Sequence, residues 1–332
     1  MVSMKDIAQR CGVSVATVSK ALNGQQDIGE DTRRRICIAA EKMGYMTNSA
    51  ARALKTNRTY NLGVLFVDER HSGLAHEYFS AVLESFKAEA EAHGYDITFL
   101  NHNVGGKPTT YLQHCRYRGL DGVVIACVDF NHPQVQELIR LEASLKAAGE
   151  REKLCFLHYP PIYPGAQVQE LVDSGLPLVT IDHVFNNRLA VTSDNLCGTE
   201  ALVRHVYEAG HRHIAFIHGE DTAVTQNRLT SYYRALEALG LEAEPDYVRA
   251  GRYHDPECCA RETAALLALP QPPTCILFPD DFSAIGGLNT IAAAGLRVPD
   301  DISVAGYDGI YLSQTMSPRL TTYRQDTAAL GR

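Results

Sequence analysis

Apolar residues near the start of the chain recur with the spacing of two short helices joined by a tight turn. Ile7 and Ala8 begin an apolar face that ends at Cys11. Gly12 can adopt the positive φ that ends a helix, and Ser14 can cap a second helix by accepting hydrogen bonds from its first N–H groups. The second helix then has a buried stripe at i, i+3 and i+4, formed by Val18, Ala21 and Leu22.

Small and polar side chains form the outward face of this second helix. Such a face enters the major groove of DNA without steric conflict, so the segment predicts a helix-turn-helix unit. A third helix is predicted over 30–43, ending before Gly44, and the arginines at 33–35 either contact phosphates or form a solvated face. The outward-facing residues of the second helix are Val15, Ala16, Thr17, Ser19, Lys20 and Asn23.

A short Ala-rich segment over 48–54 can form a further helix, with Asn48 as its cap. A helix of this length is marginal in isolation. It therefore either forms on DNA, where Leu54 could insert between two base pairs, or serves as a plain interdomain linker helix. The polar residues 55–61 that follow indicate a linker.

From residue 61 onward, strand-like and helix-like segments alternate, which predicts parallel sheets with right-handed crossovers. The pattern occurs twice in succession, so we expect two Rossmann-like subdomains with a ligand cleft at the carboxyl ends of their strands. The predicted strands are 62–67, 96–100, 121–126, 178–181, 213–217, 274–278 and 303–307. The predicted helices are 76–93, 196–209, 228–239 and 282–294.

An unusually long segment separates the predicted strand that ends at 126 from the one that begins at 178. Within it the pentapeptide Gln-Val-Gln-Glu-Leu occurs at 134–138 and again at 167–171. We interpret the segment as a tandem insertion over about 134–166, which adds an edge element, forms a surface for a partner or has no fixed structure.

Charge is distributed unevenly along the 332 residues, whose net charge is −8. Residues 1–60 carry a net charge of +5 and the remainder −13, a balance typical of a nucleic-acid-binding unit attached to an acidic body. No apolar run is long enough to span a membrane, and the N-terminus lacks the apolar core of a signal peptide. We therefore expect a cytoplasmic protein of two or three domains. Nine scattered cysteines, without a CxxC pair or zinc spacing, favour reduced thiols and no metal site.

Further motifs point to one family. The opening helices, the segment 44–55, the tripeptide Leu62-Gly-Val and five segments of the second half resemble the LacI/GalR family of bacterial transcription regulators over almost the whole chain. The resemblance implies an all-α helix-turn-helix head at 1–46, a hinge helix and linker at 47–60, and a periplasmic-binding-protein-like α/β body at 61–332. That body would bind an effector and dimerise through two interleaved subdomains. The five segments are 210–217, 228–236, 278–286, 296–308 and 318–325.

The resemblance also implies how the head would bind DNA. Val15, Ala16 and Lys20 correspond to the base-reading positions of the family. Leu54 corresponds to the wedge in the minor groove, with Lys55 beside it, and Asn48 lies at the start of the same hinge helix. The positions that would fix the register of the head on DNA through phosphates or base edges are Ser14, Thr17, Ser19 and Asn23.

Two positions depart from the family pattern. The family most often has Arg where this chain has Lys20, and lysine lacks the planar fork that pairs with guanine. Base preference at that position is therefore open. Gly29 stands where the family usually caps the third helix with Ser or Thr, a change that costs only about a few tenths of a kcal/mol.

A binding site for a sugar needs fixed donors, fixed acceptors and an apolar platform. Arg228 offers a rigid donor fork and Asp281 can accept two hydroxyl hydrogens. Both are predicted to stand at helix starts that face the cleft, and a structural ion pair is the alternative. Family position adds Tyr253 as an aromatic wall, together with three residues for which ordinary packing is the alternative, Tyr78, Phe79 and His183.

These observations predict a sequence-specific DNA-binding transcriptional regulator. Its simplest form is a homodimeric repressor that binds a near-palindromic operator and is controlled by a small effector, with a sugar fitting the residues best. The alternatives are a nucleoside- or purine-responsive regulator and a solute-binding sensor without DNA function. An enzyme is disfavoured because the chain has no P-loop, G-x-S-x-G or HExxH motif, and neither a cofactor nor a metal is expected.

Overall fold

Two compact units make up the chain, with the boundary between Thr59 and Tyr60. The computed structural model describes residues 2–25, 27–46, 53, 58–66, 73–127, 170–171, 173–182 and 189–332. Each unit contains apolar core clusters of its own. No helix within these ranges is long and apolar enough to cross a membrane.

The first unit is a bundle of three helices around one small core. Gly12 ends the first helix at φ 62°, and Ser14 caps the second by accepting a hydrogen bond from the Thr17 N–H at 3.1 Å. Gly29 caps the third helix without a side-chain hydrogen bond, as the sequence predicts. The helices are α1 (Met4–Cys11), α2 (Val15–Leu22) and α3 (Glu30–Lys42). The buried core residues are Ile7, Ala8, Val18, Ala21, Ile36 and Ala40. The four that belong to α1 and α2 lie on the predicted apolar faces.

The second unit contains two five-stranded parallel sheets, one in each subdomain. The strands of the first subdomain are β1 (Asn61–Phe66), β2 (Asp96–Phe99), β3 (Asn103–Val104), β4 (Lys107–Pro108), β5 (Gly122–Cys127), β6 (Leu178–Ile181) and β7 (Leu189–Val191). The sheet has the order β2-β1-β5-β6-β7, while β3 and β4 form a separate antiparallel hairpin. Helices α4 (Glu77–Ala92) and α5 (Tyr111–Arg118) belong to this subdomain, and the short turn Gly73–Ala75 precedes α4. The continuous apolar run of β5 suits a strand covered on both faces.

The second subdomain repeats this architecture. Its strands are β8 (Ile214–His218), β9 (Val248–Ala250), β10 (Cys275–Leu277), β11 (Ser303–Asp308) and β12 (Thr321–Arg324). They lie in the order β12-β11-β10-β8-β9, and all neighbours are parallel. Its helices are α6 (Asn195–Glu208), α7 (Ala223–Ala238), α8 (Pro256–Leu267), α9 (Asp281–Ala293) and α10 (Tyr311–Thr315), with a 3-10 turn at Pro245–Tyr247.

The last helix returns the chain to the first subdomain. Helix α11 (Thr327–Gly331) packs against α4, where the Ser85 hydroxyl donates to the Ala328 carbonyl at 2.7 Å. Leu330 packs on the apolar cluster under the first sheet. A Cβ at Gly331 would lie 2.4 Å from the carbonyl oxygen of Val82, so only glycine permits this approach. The two subdomains are therefore interleaved along the chain, and the predicted fold class is confirmed.

One element bound differs from the prediction in a way that matters for the site. Helix α7 begins at Ala223 because Thr222 caps it by accepting a hydrogen bond from the Thr225 N–H at 3.2 Å. Arg228 consequently lies in the second turn, and the prediction that it stands at a helix start is wrong. Asp281 does open its helix, next to the capping Asp280.

Several short elements were not predicted, and two predicted features cannot be compared with the structure. The sequence did not indicate β3, β4, β7, β9, β12, α5, α8, α10 or α11. The predicted hinge helix, apart from Ala53, and the predicted insertion lie outside the described residues.

Candidate functional site

Helix α2 presents an exposed face that is suited to reading a groove. Ala16, Lys20 and Asn23 follow one another at i, i+4 and i+7, so they share one side of the helix, and all three are exposed. Val15 is also 43% exposed. The three predicted base-reading side chains therefore all lie at the surface of the head.

The polar residues around this face also hold the helix in place. The hydroxyl oxygens of Ser14 and Thr17 lie 2.8 Å apart at its beginning. At its end, the Asn23 side-chain amide donates to the carbonyl of Ser19. These four residues fix both ends of α2, and their contacts with DNA stay a prediction.

One arginine stabilises the turn between α2 and α3 by hydrogen bonds. The Arg33 guanidinium donates to the carbonyl of Gln25 at 2.8 Å and to the Glu30 carboxylate at 3.1 Å. Arg33 is thus engaged within the head, whereas Arg34 and Arg35 are exposed. The sequence left two roles open for these arginines, phosphate contact and a solvated face. Arg34 and Arg35 are the two that phosphates can reach from solvent.

Four predicted site residues cannot be placed. Asn48, Leu54 and Lys55 of the hinge region, and His183 after β6, lie outside the described residues. Their roles remain predictions from the sequence.

A second constellation lies in the body, where the carboxyl ends of the strands of both sheets meet. Arg228 is its centre and is only 4% exposed. Its guanidinium donates to the Asn195 side-chain carbonyl at 2.8 Å and to the backbone carbonyl of Pro279 at 2.7 Å, and it lies 3.6 Å from the ring centroid of Tyr307. Within the described residues, no carboxylate forms an ion pair with this guanidinium.

Asp308, at the end of β11, is the acidic counterpart that the sequence analysis did not single out. Burial raises the pKa of its carboxyl well above the ordinary value, and the Arg228 guanidinium offsets part of that rise. The Gln325 side-chain amide donates to one carboxylate oxygen of Asp308 at 2.6 Å. Asp308 and Arg228 thus place an acidic and a basic group in one buried region without pairing directly.

A hydrogen-bonded chain links Asp308 to the first subdomain. The Tyr78 hydroxyl donates to Asp182 at 2.9 Å and lies 3.5 Å from the side-chain oxygen of Gln325, whose amide holds Asp308. The backbone N–H of Ser193 donates to the other oxygen of Asp182 at 2.8 Å. Predicted residue Tyr78 therefore belongs to a polar network that joins the two subdomains.

Asp281 is close to this constellation, but its carboxylate is already engaged. It accepts hydrogen bonds from the Thr322 hydroxyl at 2.6 Å and from the Ile310 N–H at 2.9 Å. Burial raises the pKa of Asp281 to about 7, although both hydrogen bonds lower it. These contacts hold the loop after β11, so Asp281 supports the position of Asp308, and direct binding of an effector by Asp281 stays a prediction.

Aromatic side chains border the polar groups. The hydroxyl oxygen of Tyr253 lies 2.8 Å from that of Thr225, and the Tyr253 ring centroid is 5.6 Å from the Arg228 guanidinium carbon. Phe79 packs against the ring of Tyr78 at 5.1 Å, with an edge-to-face geometry. The structure therefore places Tyr253 next to Arg228 and Phe79 next to the Tyr78 network.

A stack of three rings connects the subdomains beside this site. His76, which caps α4, stacks on His254 at 4.1 Å, and His254 stacks on Phe282 of α9 at 4.0 Å, each pair with a 15° interplanar angle. No periodicity in the sequence indicates this stack, because its three members come from separate loops and helix starts.

Backbone strain is concentrated at the same place. Asp182, His254 and Asp308 have φ values of 57°, 52° and 104°, a region that residues other than glycine rarely adopt. Non-glycine residues in such conformations persist where the surrounding structure fixes them, often at binding sites. Among the described residues, no group of three or more His, Cys, Asp or Glu side chains is placed to hold a metal ion.

Three protein-family models match this chain. Residues 3–48 match "Bacterial regulatory proteins, lacI family", residues 60–145 match "Periplasmic binding proteins and sugar binding domain of LacI family", and residues 203–332 match "Periplasmic binding protein-like domain". The three matches follow the order of the head, the first subdomain and the second subdomain.

Curated relatives are similar over almost the whole of this chain. The HTH-type transcriptional repressor PurR of Pasteurella multocida is 27% identical over 335 residues, which cover 100% of this chain and 89% of PurR. The HTH-type transcriptional repressor CytR of Escherichia coli K12 is 29% identical over 332 residues, covering 99% of this chain and 86% of CytR. Among solved structures, the lac repressor dimer bound to operator and the anti-inducer ONPF has a TM-score of 0.72 at 23% identity, covering 99% of this chain and 89% of the repressor chain, a likeness of fold.

A helix-turn-helix head joined to a body in which a buried polar constellation lies between two parallel sheets defines a ligand-sensing transcription regulator. The chain belongs to the lacI family of bacterial regulatory proteins, and it is a DNA-binding transcriptional regulator.

Proposed function

We propose that the protein is a homodimeric repressor whose affinity for a near-palindromic operator is controlled by a small polyhydroxylated effector, most simply a sugar. The effector would bind between the two sheets of the body. The observation that carries the proposal is the buried Arg228 guanidinium, which has no ion-pair partner among the described residues. Buried charges in proteins are normally paired, so an unpaired one favours a site for a polar ligand.

The hydrogen-bonding capacity of the site fits hydroxyl groups. Arg228 uses one Nη atom and Nε within the protein, and Asp308 uses one carboxylate oxygen. Within the described part of the chain, the second Nη and the second carboxylate oxygen make no hydrogen bond. A sugar hydroxyl can accept from the guanidinium and donate to the carboxylate at the same time, which an apolar ligand cannot do.

The network between the subdomains supplies a route for control. A ligand hydroxyl would bind the oxygen of Asp308 that the amide of Gln325 leaves open, and Gln325 in turn lies against Tyr78 of the first subdomain. A ligand that binds one arrangement of the subdomains better than the other shifts their equilibrium. In a dimer that contacts two half-sites, such a shift alters the spacing of the heads and hence the affinity for DNA.

A nucleoside is the second candidate effector. The observation that favours it is the set of aromatic rings around the polar groups, Tyr78, Phe79 and Tyr253, since a planar base can stack on such rings. Its ribose would present the same hydroxyl pattern to Arg228 and Asp308.

A thermal-shift screen of the full-length protein against sugars and nucleosides tests the proposal. A true effector at 100 times its Kd stabilises the protein by about 2.7 kcal/mol, which is a clear rise of the thermal midpoint. Each compound that raises it is then added to the protein bound to a DNA duplex selected from a random pool, and fluorescence anisotropy follows the affinity. If every compound that binds left the affinity for DNA unchanged, control by an effector would be contradicted. If the protein enriched no sequence from the random pool, the proposed repressor function would be contradicted.

A further inference from the structure

The base-reading lysine of α2 has a partner within the head. The Lys20 ammonium lies 2.5 Å from the Asp27 carboxylate, and the two side chains are 47% and 55% exposed. The Lys20 hydrogen bond is the main cause that lowers the pKa of Asp27. An acidic side chain therefore stands at the surface of the helix that is predicted to face DNA.

The turn holds Asp27 in this position. Gly24 begins the turn at φ 68°, a conformation that favours glycine. Arg33 then fixes the turn through the carbonyl of Gln25 and the carboxylate of Glu30, at 2.8 and 3.1 Å. These contacts lie on either side of Asp27 in the chain, so they restrict where its carboxylate can lie relative to Lys20.

The chemistry of the pair affects how the head discriminates between DNA sequences. A lysine ammonium is a compact point charge that binds any phosphate, whereas guanine offers two acceptors at fixed positions in the major groove. Non-specific binding comes almost entirely from cation–phosphate contacts. A carboxylate beside Lys20 competes with phosphate for the ammonium and repels the DNA backbone.

We propose that Asp27 is a specificity-determining residue of the head, which withholds Lys20 from phosphates and releases it to a guanine base edge. The inference depends on DNA binding by α2 and on the predicted role of Lys20. Asp27 acts through Lys20 and is therefore a positioning residue rather than a base-reading one.

The test compares the wild type with Asp27→Asn in the full-length protein. Asp31→Asn is the matched control, since it makes the same chemical change at an exposed position of the same head. Sites are first selected from a random DNA pool with the wild type. The affinity of each variant for the selected duplex and for a mixed-sequence duplex of equal length is then measured by fluorescence anisotropy across a range of salt concentrations.

We expect Asp27→Asn to strengthen binding to mixed-sequence DNA by about two- to fivefold per head, the range that surface ion pairs allow. One additional phosphate contact per head should steepen the log–log salt dependence by about 0.9. Affinity for the selected duplex should rise less, so the ratio of specific to non-specific affinity falls. Asp31→Asn should change both affinities by the same factor and leave the ratio intact.

A double-mutant cycle with Lys20→Ala shows whether Asp27 acts through the lysine. In the Lys20→Ala background, Asp27→Asn should no longer alter the ratio, whereas a purely structural role of Asp27 would persist there. Circular dichroism confirms that each variant retains its helices.

The inference would be overturned if Asp27→Asn left the ratio of specific to non-specific affinity unchanged, or if Asp31→Asn changed that ratio equally. It would also be overturned if Asp27→Asn bound the selected duplex more weakly than the wild type. That result would mean that Asp27 itself accepts a hydrogen bond from a base. Failure of the wild type to enrich any sequence would instead refute DNA reading by the head, so the two failures are distinguishable.

Discussion

Two buried carboxyl groups behave differently from the exposed acids that dominate the body. Burial raises the pKa of Asp281 to about 7 and that of Asp308 well above its ordinary value. Both therefore bind protons more tightly in the folded protein than in the unfolded chain. For a carboxyl group this means that stability is lost as pH rises from the unfolded pKa to the folded one.

Asp281→Asn should stabilise the protein increasingly as pH rises from about 4, the unfolded pKa, to about 7, the folded pKa. The neutral amide carries no charge to desolvate. Above pH 7 the gain in the free energy of unfolding should level off at about 1–3 kcal/mol. This is less than the free energy that corresponds to the full pKa difference, because the amide has one hydrogen-bond acceptor fewer than the carboxylate. Thermal midpoints at a series of pH values measure the effect. Asp246→Asn, at an exposed position, is the control. If the thermal midpoint of Asp281→Asn followed the same pH profile as the wild type, the raised pKa of Asp281 would be refuted.

Arg228→Lys should weaken effector binding by about 10- to 100-fold, the loss expected for hydrogen bonds of a charged group. A lysine cannot reach Asn195 and the Pro279 carbonyl while also donating to a ligand. Isothermal titration with a compound from the screen gives the affinity. Arg234→Lys changes an exposed arginine of the same helix and should bind normally. Equal affinities in the two variants would exclude Arg228 from the effector site.

At the scale of elements, helices α8 and α9 approach so closely that one residue can be only glycine. A Cβ at Gly286 would lie 1.8 Å from the carbonyl oxygen of Pro256. Because that atom is backbone at the first turn of α8, no side-chain rotation can relieve the overlap.

Gly286→Ala should therefore lower the thermal midpoint and reduce the free energy of unfolding by about 1–3 kcal/mol. The loss is expected even though alanine favours a helix over glycine by up to about 1 kcal/mol. Differential scanning calorimetry measures the change. Asn289→Ala, exposed on the same helix, isolates the propensity effect and should leave the midpoint nearly constant or raise it. A Gly286→Ala variant as stable as Asn289→Ala would show that the two helices can separate without loss.

Periodicity explains which elements could be predicted. The helical spacing of Ile7, Val18 and their apolar neighbours predicted the first two helices of the head. Apolar runs such as β6 predicted the strands of the sheets. The start of α7 was misplaced because its first turn, after Thr222, is polar on one side and lacks an apolar stripe. Short edge strands such as β9 carry too few residues for any period to be visible.

The site was predicted only in part, for a physical reason. Arg228, Tyr253 and Tyr78 have side chains whose chemistry is visible in the sequence, and the structure brings them near one another. Asp308 and His254 belong to the site with a backbone of positive φ, which no local sequence pattern indicates. The engagement of Asp281 by Thr322 depends on a contact across 41 residues.

At the scale of the whole molecule, the head and the body have separate cores, and the boundary falls between Thr59 and Tyr60. A chain of residues 60–332 should lose all sequence-selective binding to DNA and keep the Kd of the full chain for the effector within about twofold. Anisotropy and calorimetry measure the two affinities. DNA binding that survives the deletion would place the nucleic-acid site in the body, and loss of effector binding would show that the units depend on each other.

The return of helix α11 to the first subdomain has a consequence for synthesis on the ribosome. The Ser85 hydroxyl meets the Ala328 carbonyl, a partner 243 residues further along the chain. At about 5–20 residues per second, roughly 10–50 s pass between the synthesis of the two. During that time the face of α4 that receives Leu330 stays uncovered. The first subdomain to be translated is therefore among the last to be completed, and a chain that stalls before Thr327 leaves it unfinished.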